Sequence, residues 1–237
     1  MYTPPLIGKL PLITPSIGLA PLWTSKLKSI LNKLKINHGN FEREISEMEL
    51  SVKFIKPNYT VLELGSNIGR NTLVIASILD NSSNLVTVES DPVSIKHLKE
   101  NKEINNLNFT IIGAAISDVP IYQYGWNTYT KSEIKGREDK MKKIDVISMH
   151  NIYKQSGIHN FDALVIDCEG CSEVILRDNP KLLRDATLII IENDARDDGN
   201  NKIKNIILGA DFESVYCGDH PHRKPCFYQV FKKKNIN

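Results

Sequence analysis

Thr60-Val-Leu-Glu-Leu-Gly-Ser-Asn-Ile-Gly-Arg-Asn-Thr72 joins a short apolar strand, Val61 to Leu64, to a glycine-punctuated turn with a helix beyond it. Gly65 and Gly69 lack Cβ atoms, so the backbone can turn sharply there and a nucleoside can approach main-chain N–H groups. About twenty residues beyond Gly69 a second apolar stretch, Leu85 to Val88, ends in Glu89, where a carboxylate can accept both hydroxyls of a ribose. Strand, glycine turn, helix, strand and terminal acid in this order predict an α/β domain with a nucleoside-binding crevice.

The glycine spacing separates two ligands. A dinucleotide loop reads G-x-G-x-x-G, and its middle glycine lets a pyrophosphate rest on the helix N-terminus. Here Ser66, Asn67 and Ile68 stand between only two glycines. Glu63-Leu-Gly-Ser-Asn-Ile-Gly69 resembles instead the first motif of class I methyltransferases, whose donor S-adenosylmethionine (SAM) has no pyrophosphate. A nicotinamide cofactor is the alternative.

The remaining composition narrows the setting. With 237 residues, 41% hydrophobic and 24% charged, the chain suits one large soluble α/β domain with an N-terminal extension. A net charge of +2 gives no strong field toward nucleic acid, although basic residues gather at 26–35, 131–143 and 232–234. Residues 1–23 are apolar but interrupted by five prolines, with neither a membrane-spanning run nor the form of a signal peptide. Cys168-x-x-Cys171 has metal-like spacing, and Cys217 and Cys226 with His220 and His222 could complete a zinc site. The other reading is packing: the first pair ends a buried strand, and the second pair faces itself across a hairpin. Without a secreted-type cysteine framework, a reducing, cytoplasmic setting is expected.

Along the chain, residues 1–39 form a Pro-rich and basic extension, and 40–237 form the domain. Residues 24–36 read as an amphipathic helix carrying Leu27, Ile30, Leu31 and Leu34 on one face. Asn40 is the expected N-cap of a second helix, with Ile45, Met48, Val52 and Ile55 spaced for burial. Further strands are expected at 109–112, 163–166 and 187–191, and a closing hairpin pairs 212–216 with 227–231. Residues 117–143, with Tyr122, Tyr124, Trp126 and Tyr129, make an insertion too long for an idle connection, either a lid or an extra hairpin.

Val61 to Thr72, Val86-Thr-Val-Glu-Ser-Asp-Pro92, Ile111-Ile-Gly-Ala-Ala-Ile-Ser-Asp118 and above all Phe161-Asp-Ala-Leu-Val-Ile-Asp-Cys-Glu-Gly-Cys171 together resemble the FkbM-type family of SAM-dependent methyltransferases. Asp167, Glu169 and Gly170 match the family's Asp-x-Glu-Gly element, and Leu188 to Asp194 matches its fifth strand. The similarity covers about residues 41–195. It implies a Rossmann-like class I methyltransferase fold, a mostly parallel seven-stranded sheet with an antiparallel C-terminal strand. It also implies SAM as donor and an oxygen acceptor on a sugar or other small metabolite.

Carried onto this chain, Glu63, Gly65, Ser66, Asn67 and Gly69 surround the methionine part of SAM, with Asp167 close by. Glu89 holds the ribose beside Ser90 and Asp91. Ala114 and Ala115 line the adenine pocket, where Asp118 is the acid able to reach in. Asp167 or Glu169, past strand four, is a candidate general base, as are Glu192, His220 and His222. Trp126, Tyr129, Asn193 and Arg223 are candidate substrate contacts, Arg223 for an anionic acceptor. Asp167, Glu192 and Asn193 resemble the oxygen-rich set with which catechol-type O-methyltransferases hold Mg²⁺. Nucleic-acid methylation is the rival activity, against which stand Asp-Cys-Glu-Gly after strand four and Glu192-Asn193 where a ribose methyltransferase needs lysine. A catalytically silent SAM-binding module is the non-enzymatic rival.

Overall fold

A computed structural model of the chain describes residues 22–125, 127–195, 199–220, 223 and 225–234. Helices α1 (Leu22–Leu31) and α2 (Ile45–Phe54) precede β1 (Val61–Leu64), α3 (Arg70–Ile78), β2 (Leu85–Val88), α4 (Pro92–Glu103) and β3 (Thr110–Ile112). Next come the short β4 (Ala115–Ile116), then β5 (Ile121–Tyr124), β6 (Asn127–Thr130), β7 (Lys142–Ile144) and β8 (Val146–Ile147). The second half holds α5 (Met149–Ser156), β9 (Ala163–Ile166), α6 (Ser172–Asp178), α7 (Pro180–Asp185), β10 (Leu188–Glu192), α8 (Gly199–Gly209), β11 (Phe212–Gly218) and β12 (Tyr228–Lys233).

Seven strands form one sheet in the order β11-β12-β10-β9-β1-β2-β3, and β12 runs antiparallel to both its neighbours. Strands β1, β2 and β9 are buried along their whole length, because helices cover both faces. Leu62, Leu64, Val86, Leu164 and Ile189 pack against Met149, Ile175, Leu182 and Ile203 on one side. Val61, Leu85, Ala163 and Ile190 pack against Leu27, Met48, Leu73 and Ile75 on the other. Each such aliphatic side chain contributes on the order of 2 kcal/mol when fully buried.

The sheet grows from β1 through β2 to β3 on one side and through β9 to β10 on the other, so a topological switch point falls beside β1. Hydrogen bonding continues past the strand ends there. The Gly65 N–H donates to the Val88 carbonyl, and the Asp167 N–H to that of Leu64, at 3.0 and 2.8 Å.

Four local expectations are corrected or sharpened. Glu44, in the left-handed region at φ 61°, occupies the position before α2, while the Asn40 side chain caps only a turn by accepting from the Glu42 N–H. Ile45, the first residue of α2, is 46% exposed, while Met48, Val52 and Ile55 of the expected stripe are buried. The insertion is an antiparallel β6-β5-β7 sheet, the extra hairpin with a third strand added. Both cysteine pairs are disulfides, Cys168–Cys171 and Cys217–Cys226, so packed thiols and a four-cysteine zinc site are both set aside.

Glu63 is the one buried carboxyl on β1, at 2% exposure. The hydroxyls of Thr72 on α3 and Thr87 on β2 both donate to its Oε2 at 2.7 Å, tying helix, strand and neighbouring strand together. Burial, opposed in part by those two hydrogen bonds, pushes its pKa up to about 7. The folded state therefore binds this proton more tightly than the unfolded chain, so its contribution is full below the ordinary carboxyl range and is lost as pH rises through about 7. Urea unfolding at pH 5 and pH 8 is expected to show stability declining by up to ~3 kcal/mol from this group. Glu63→Gln should lose that part of the slope, and an unchanged slope would show that Glu63 is not its source.

Candidate functional site

The glycine turn, the ends of β2 and β9 and the insertion enclose a cavity of about 390 Å³ at the carboxyl edge of the sheet. Its inner end is walled by Gly65, Asn67, Glu89 and Asp167. One flank is Ala114 to Val119 with Gln123, Tyr129 and Glu133 of the insertion. The other is Cys168 to Cys171 with Val174 and Asp178 of α6.

Gly65 sits at φ 85°, and a Cβ there would run into the Asp167 main-chain carbonyl. The loop after β9 thus lies directly on the glycine turn, which brings the Asp167 and Glu169 side chains to the cavity wall. Glu169 itself adopts φ 51°, and the following Gly170 φ 87° lets its N–H donate to Asp194 Oδ1 at 3.1 Å. The Cys168–Cys171 disulfide closes this turn from the side.

Glu89 is held from three directions. Its Oε2 accepts from the Asn67 N–H at 2.7 Å, and its Oε1 accepts from the N–H groups of Ser90 and Asp91, both at 2.8 Å. Burial raises its pKa, opposed by those N–H donors. Oε2 retains a lone pair for a further donor, which is what a ribose hydroxyl needs.

A second acidic centre adjoins Asp167. Carboxylate oxygens of Glu47, Asp167 and Glu192 lie within 4.8 Å of one another. Glu47 comes from α2, which docks on α3 through Ser51 Oγ donating to Asn71 Oδ1 at 2.9 Å and through the Arg70–Glu44 ion pair. Glu47 is 7% exposed and hydrogen-bonds Glu192, so one of the two carries a proton when the centre holds no cation. Burial first, then the neighbouring carboxylates, holds Asp167 and Glu47 well above the carboxylate range. Asp194 is raised to about 7 by burial and by Glu169 and Glu192. The Tyr228 phenol on β12 is raised by burial and the same carboxylates.

Of the residues singled out from the sequence, Gly65, Asn67, Glu89, Ser90, Ala114, Ala115, Asp118, Tyr129, Asp167 and Glu169 line the cavity together. Four others serve the framework. Glu63 is turned inward to the two threonines, Ser66 is buried, Gly69 opens α3, and Asp91 caps α4 by accepting from the Ser94 N–H. Asn193 spends its amide nitrogen on the Cys226 carbonyl at 2.6 Å and on Gln229 at 3.2 Å, clamping β10 to the hairpin. Glu192 stays beside Asp167, and Glu47 is the third carboxylate beside them. His220 packs at 5.4 Å from the Phe227 ring, and the Arg223 guanidinium lies over the same ring, so neither belongs to the cavity wall. Trp126 and His222 fall outside the described residues.

Sequence reasoning missed Glu47, Glu133 and Asp178. Glu47 sits next to the apolar stripe of α2, but an acid there reads as a helix surface until the helix is docked.

The fold is that of a class I methyltransferase. An O-methyltransferase from Bacillus cereus solved with S-adenosylhomocysteine (SAH) superposes with a TM-score of 0.52 at 16% identity, covering 94% of this chain and 93% of that one. The O-methyltransferase TomG from Streptomyces achromogenes, solved with SAM, gives 0.52 at 11% identity and 92% coverage of both chains. No protein-family model matches the sequence, and no curated protein matches it.

Gly65→Ala is expected to be strongly destabilising. Its left-handed backbone costs an alanine about 1–2 kcal/mol, and the encounter with the Asp167 carbonyl must be relieved by moving the loop. Thermal melting should fall by several degrees, whereas Gly136→Ala, with open space around its Cβ, should pay the backbone cost alone.

Proposed function

We propose that the protein is a SAM-dependent methyltransferase acting on a hydroxyl of a small molecule, with the FkbM-type motif order as the family reading. The observation that carries this is the juxtaposition of Glu89, with a free acceptor site for ribose, and the Asp167–Glu169 loop laid over the Gly65 turn in one cavity. Solved O-methyltransferases of the same fold, one with SAH and one with SAM, support the donor assignment.

The division of labour follows from position. Glu89 accepts from the donor's ribose, main-chain groups around Gly65 and Asn67 face its methionine part, and Ala114 and Ala115 leave room for the adenine. The acceptor oxygen attacks the methyl carbon in line with the breaking C–S bond. The methyl passes from sulfur to oxygen, and the C–S electron pair stays on sulfur as the neutral thioether. The acceptor proton goes to Asp167 or Glu169, the two carboxylates that the loop after β9 brings to the cavity wall.

Glu47, Asp167 and Glu192 also fit a divalent cation. Three carboxylate oxygens within 4.8 Å of one another can all reach one ion at the usual oxygen–metal distance of about 2.0–2.6 Å. Such an ion, when bound, would lower the pKa of a coordinated hydroxyl. The role of Glu47 would then be to supply an oxygen from α2 and to give up the proton it shares with Glu192 without an ion.

Calorimetry with SAH is expected to show binding that Glu89→Ala weakens by at least about tenfold, the worth of a lost charged hydrogen bond. Wild-type protein that binds no SAH would overturn the donor assignment. Mn²⁺ titration followed by electron paramagnetic resonance should show a bound ion that Glu47→Gln weakens and Asn193→Ala leaves in place. Equal loss in both variants would restore Asn193 as a ligand, and no bound ion in the wild type would remove the metal.

A further inference from the structure

The loop that carries the proposed bases is closed by a covalent bond onto itself. Cys168 and Cys171 flank Glu169 and Gly170, and their sulfurs are joined as a disulfide. All four residues, with Asp167 before them, belong to the cavity wall. The second disulfide, Cys217–Cys226, staples the C-terminal hairpin and lies outside that wall.

The two bonds differ in what they hold. A disulfide stabilises a fold mainly by removing freedom from the unfolded chain, and more so the longer the loop it closes. Cys168 and Cys171 are three residues apart, against nine for the hairpin pair, so the cavity bond is the weaker staple. Its effect is local. Glu169 adopts φ 51°, a left-handed conformation that residues other than glycine seldom hold, and Gly170 follows at φ 87°. Two main-chain donors tie the same turn: the Gly170 N–H to Asp194 Oδ1 at 3.1 Å, and the Cys171 N–H to the Cys168 carbonyl at 3.2 Å. Both cysteines are half-buried rather than enclosed, and the cavity of about 390 Å³ before them gives a small thiol a way in.

We propose that Cys168 and Cys171 form a reversible redox site that sets the affinity for the donor. As a disulfide they hold the Asp167–Glu169 loop on the Gly65 turn, and as thiols they release it. The reductant is a small dithiol. One of its thiolates attacks a sulfur of the pair, a mixed disulfide forms, and the other cysteine leaves as a thiolate that takes up a proton. The reductant's second thiolate then attacks its own sulfur in the mixed disulfide, closing the reductant's disulfide and releasing the second cysteine to be protonated in turn. Two electrons pass from dithiol to protein, and the oxidised dithiol runs the exchange backwards. Donor and redox state are reciprocally linked: a donor that binds the disulfide form better makes that disulfide harder to reduce by the same factor. The inference rests on the methyltransferase reading above and adds a regulation to it.

The test equilibrates the full chain in graded mixtures of reduced and oxidised dithiothreitol, with and without SAH. Thiols are then trapped by alkylation and each cysteine pair is read by mass spectrometry. The Cys168–Cys171 pair should titrate reversibly. Calorimetry should find SAH bound about tenfold more weakly by the reduced protein, the cost of re-ordering one or two released residues. Saturating SAH should move the midpoint of this pair by the same tenfold, about 30 mV toward a more reducing poise, and leave that of Cys217–Cys226 in place. The double variant Cys217→Ser, Cys226→Ser should keep the response. The double variant Cys168→Ser, Cys171→Ser should bind SAH like the reduced wild type at every poise. Hydrogen exchange supplies a readout that needs no ligand, since the Gly170 and Cys171 amides should exchange faster after reduction. SAH bound equally by both forms, thiols at 168 and 171 at every poise, or unchanged exchange at 170 and 171 would each overturn the inference. Failure of both forms to bind SAH would instead remove the donor assignment, while the exchange rates still decide whether the pair holds the loop.

Discussion

The carbonyl of Asp167 occupies the space in which any side chain at residue 65 would begin. This one close approach sets the rest of the site. It needs a glycine at φ 85°, which bends the chain off β1 at the switch point, and it lays the β9 loop across that bend. Glu89 and the carboxylates of 167 and 169 are gathered into one cavity by the same contact. The N–H groups of Gly65 and Asp167 continue the sheet ladder on either side, so main-chain hydrogen bonds anchor the turn to the sheet.

Rigidity matters because the site is electrostatically costly. Glu47, Asp167, Glu169, Glu192 and Asp194 crowd a partly buried space, and burial together with mutual repulsion raises Asp167, Glu47 and Asp194 from their ordinary range. Such a cluster persists only when backbone and disulfides hold it. The Cys168–Cys171 bond fastens one loop at the rim, and Cys217–Cys226 fastens the hairpin that ends next to β10. The unfavourable charge is relieved when a positive group, such as the sulfonium of SAM, arrives.

Helix α2 has an unexpected part in this arrangement. Its apolar stripe explains its docking, and docking delivers Glu47 to the acids at the ends of β9 and β10. Asn193, the neighbour in sequence of a true member of the cluster, is turned toward the hairpin instead, because successive residues at a strand end point to opposite sides. Adjacency in space thus brings to the cluster an acid that adjacency along the chain did not point to.

Much of the fold was legible in local pattern. Apolar runs placed β1, β2 and β9 at their observed positions, since these signals depend on backbone geometry and burial within a few residues. The glycine spacing and Glu89 located the crevice for the same reason. The inward turn of Glu63 and the identity of Glu47 as the third acid were not legible. Each depends on which elements meet across the sheet. The sequence alone determined where the chain must turn and which strand ends carry acids; only the tertiary structure decided which way those acids face, because side-chain direction at a buried position is set by what packs against it.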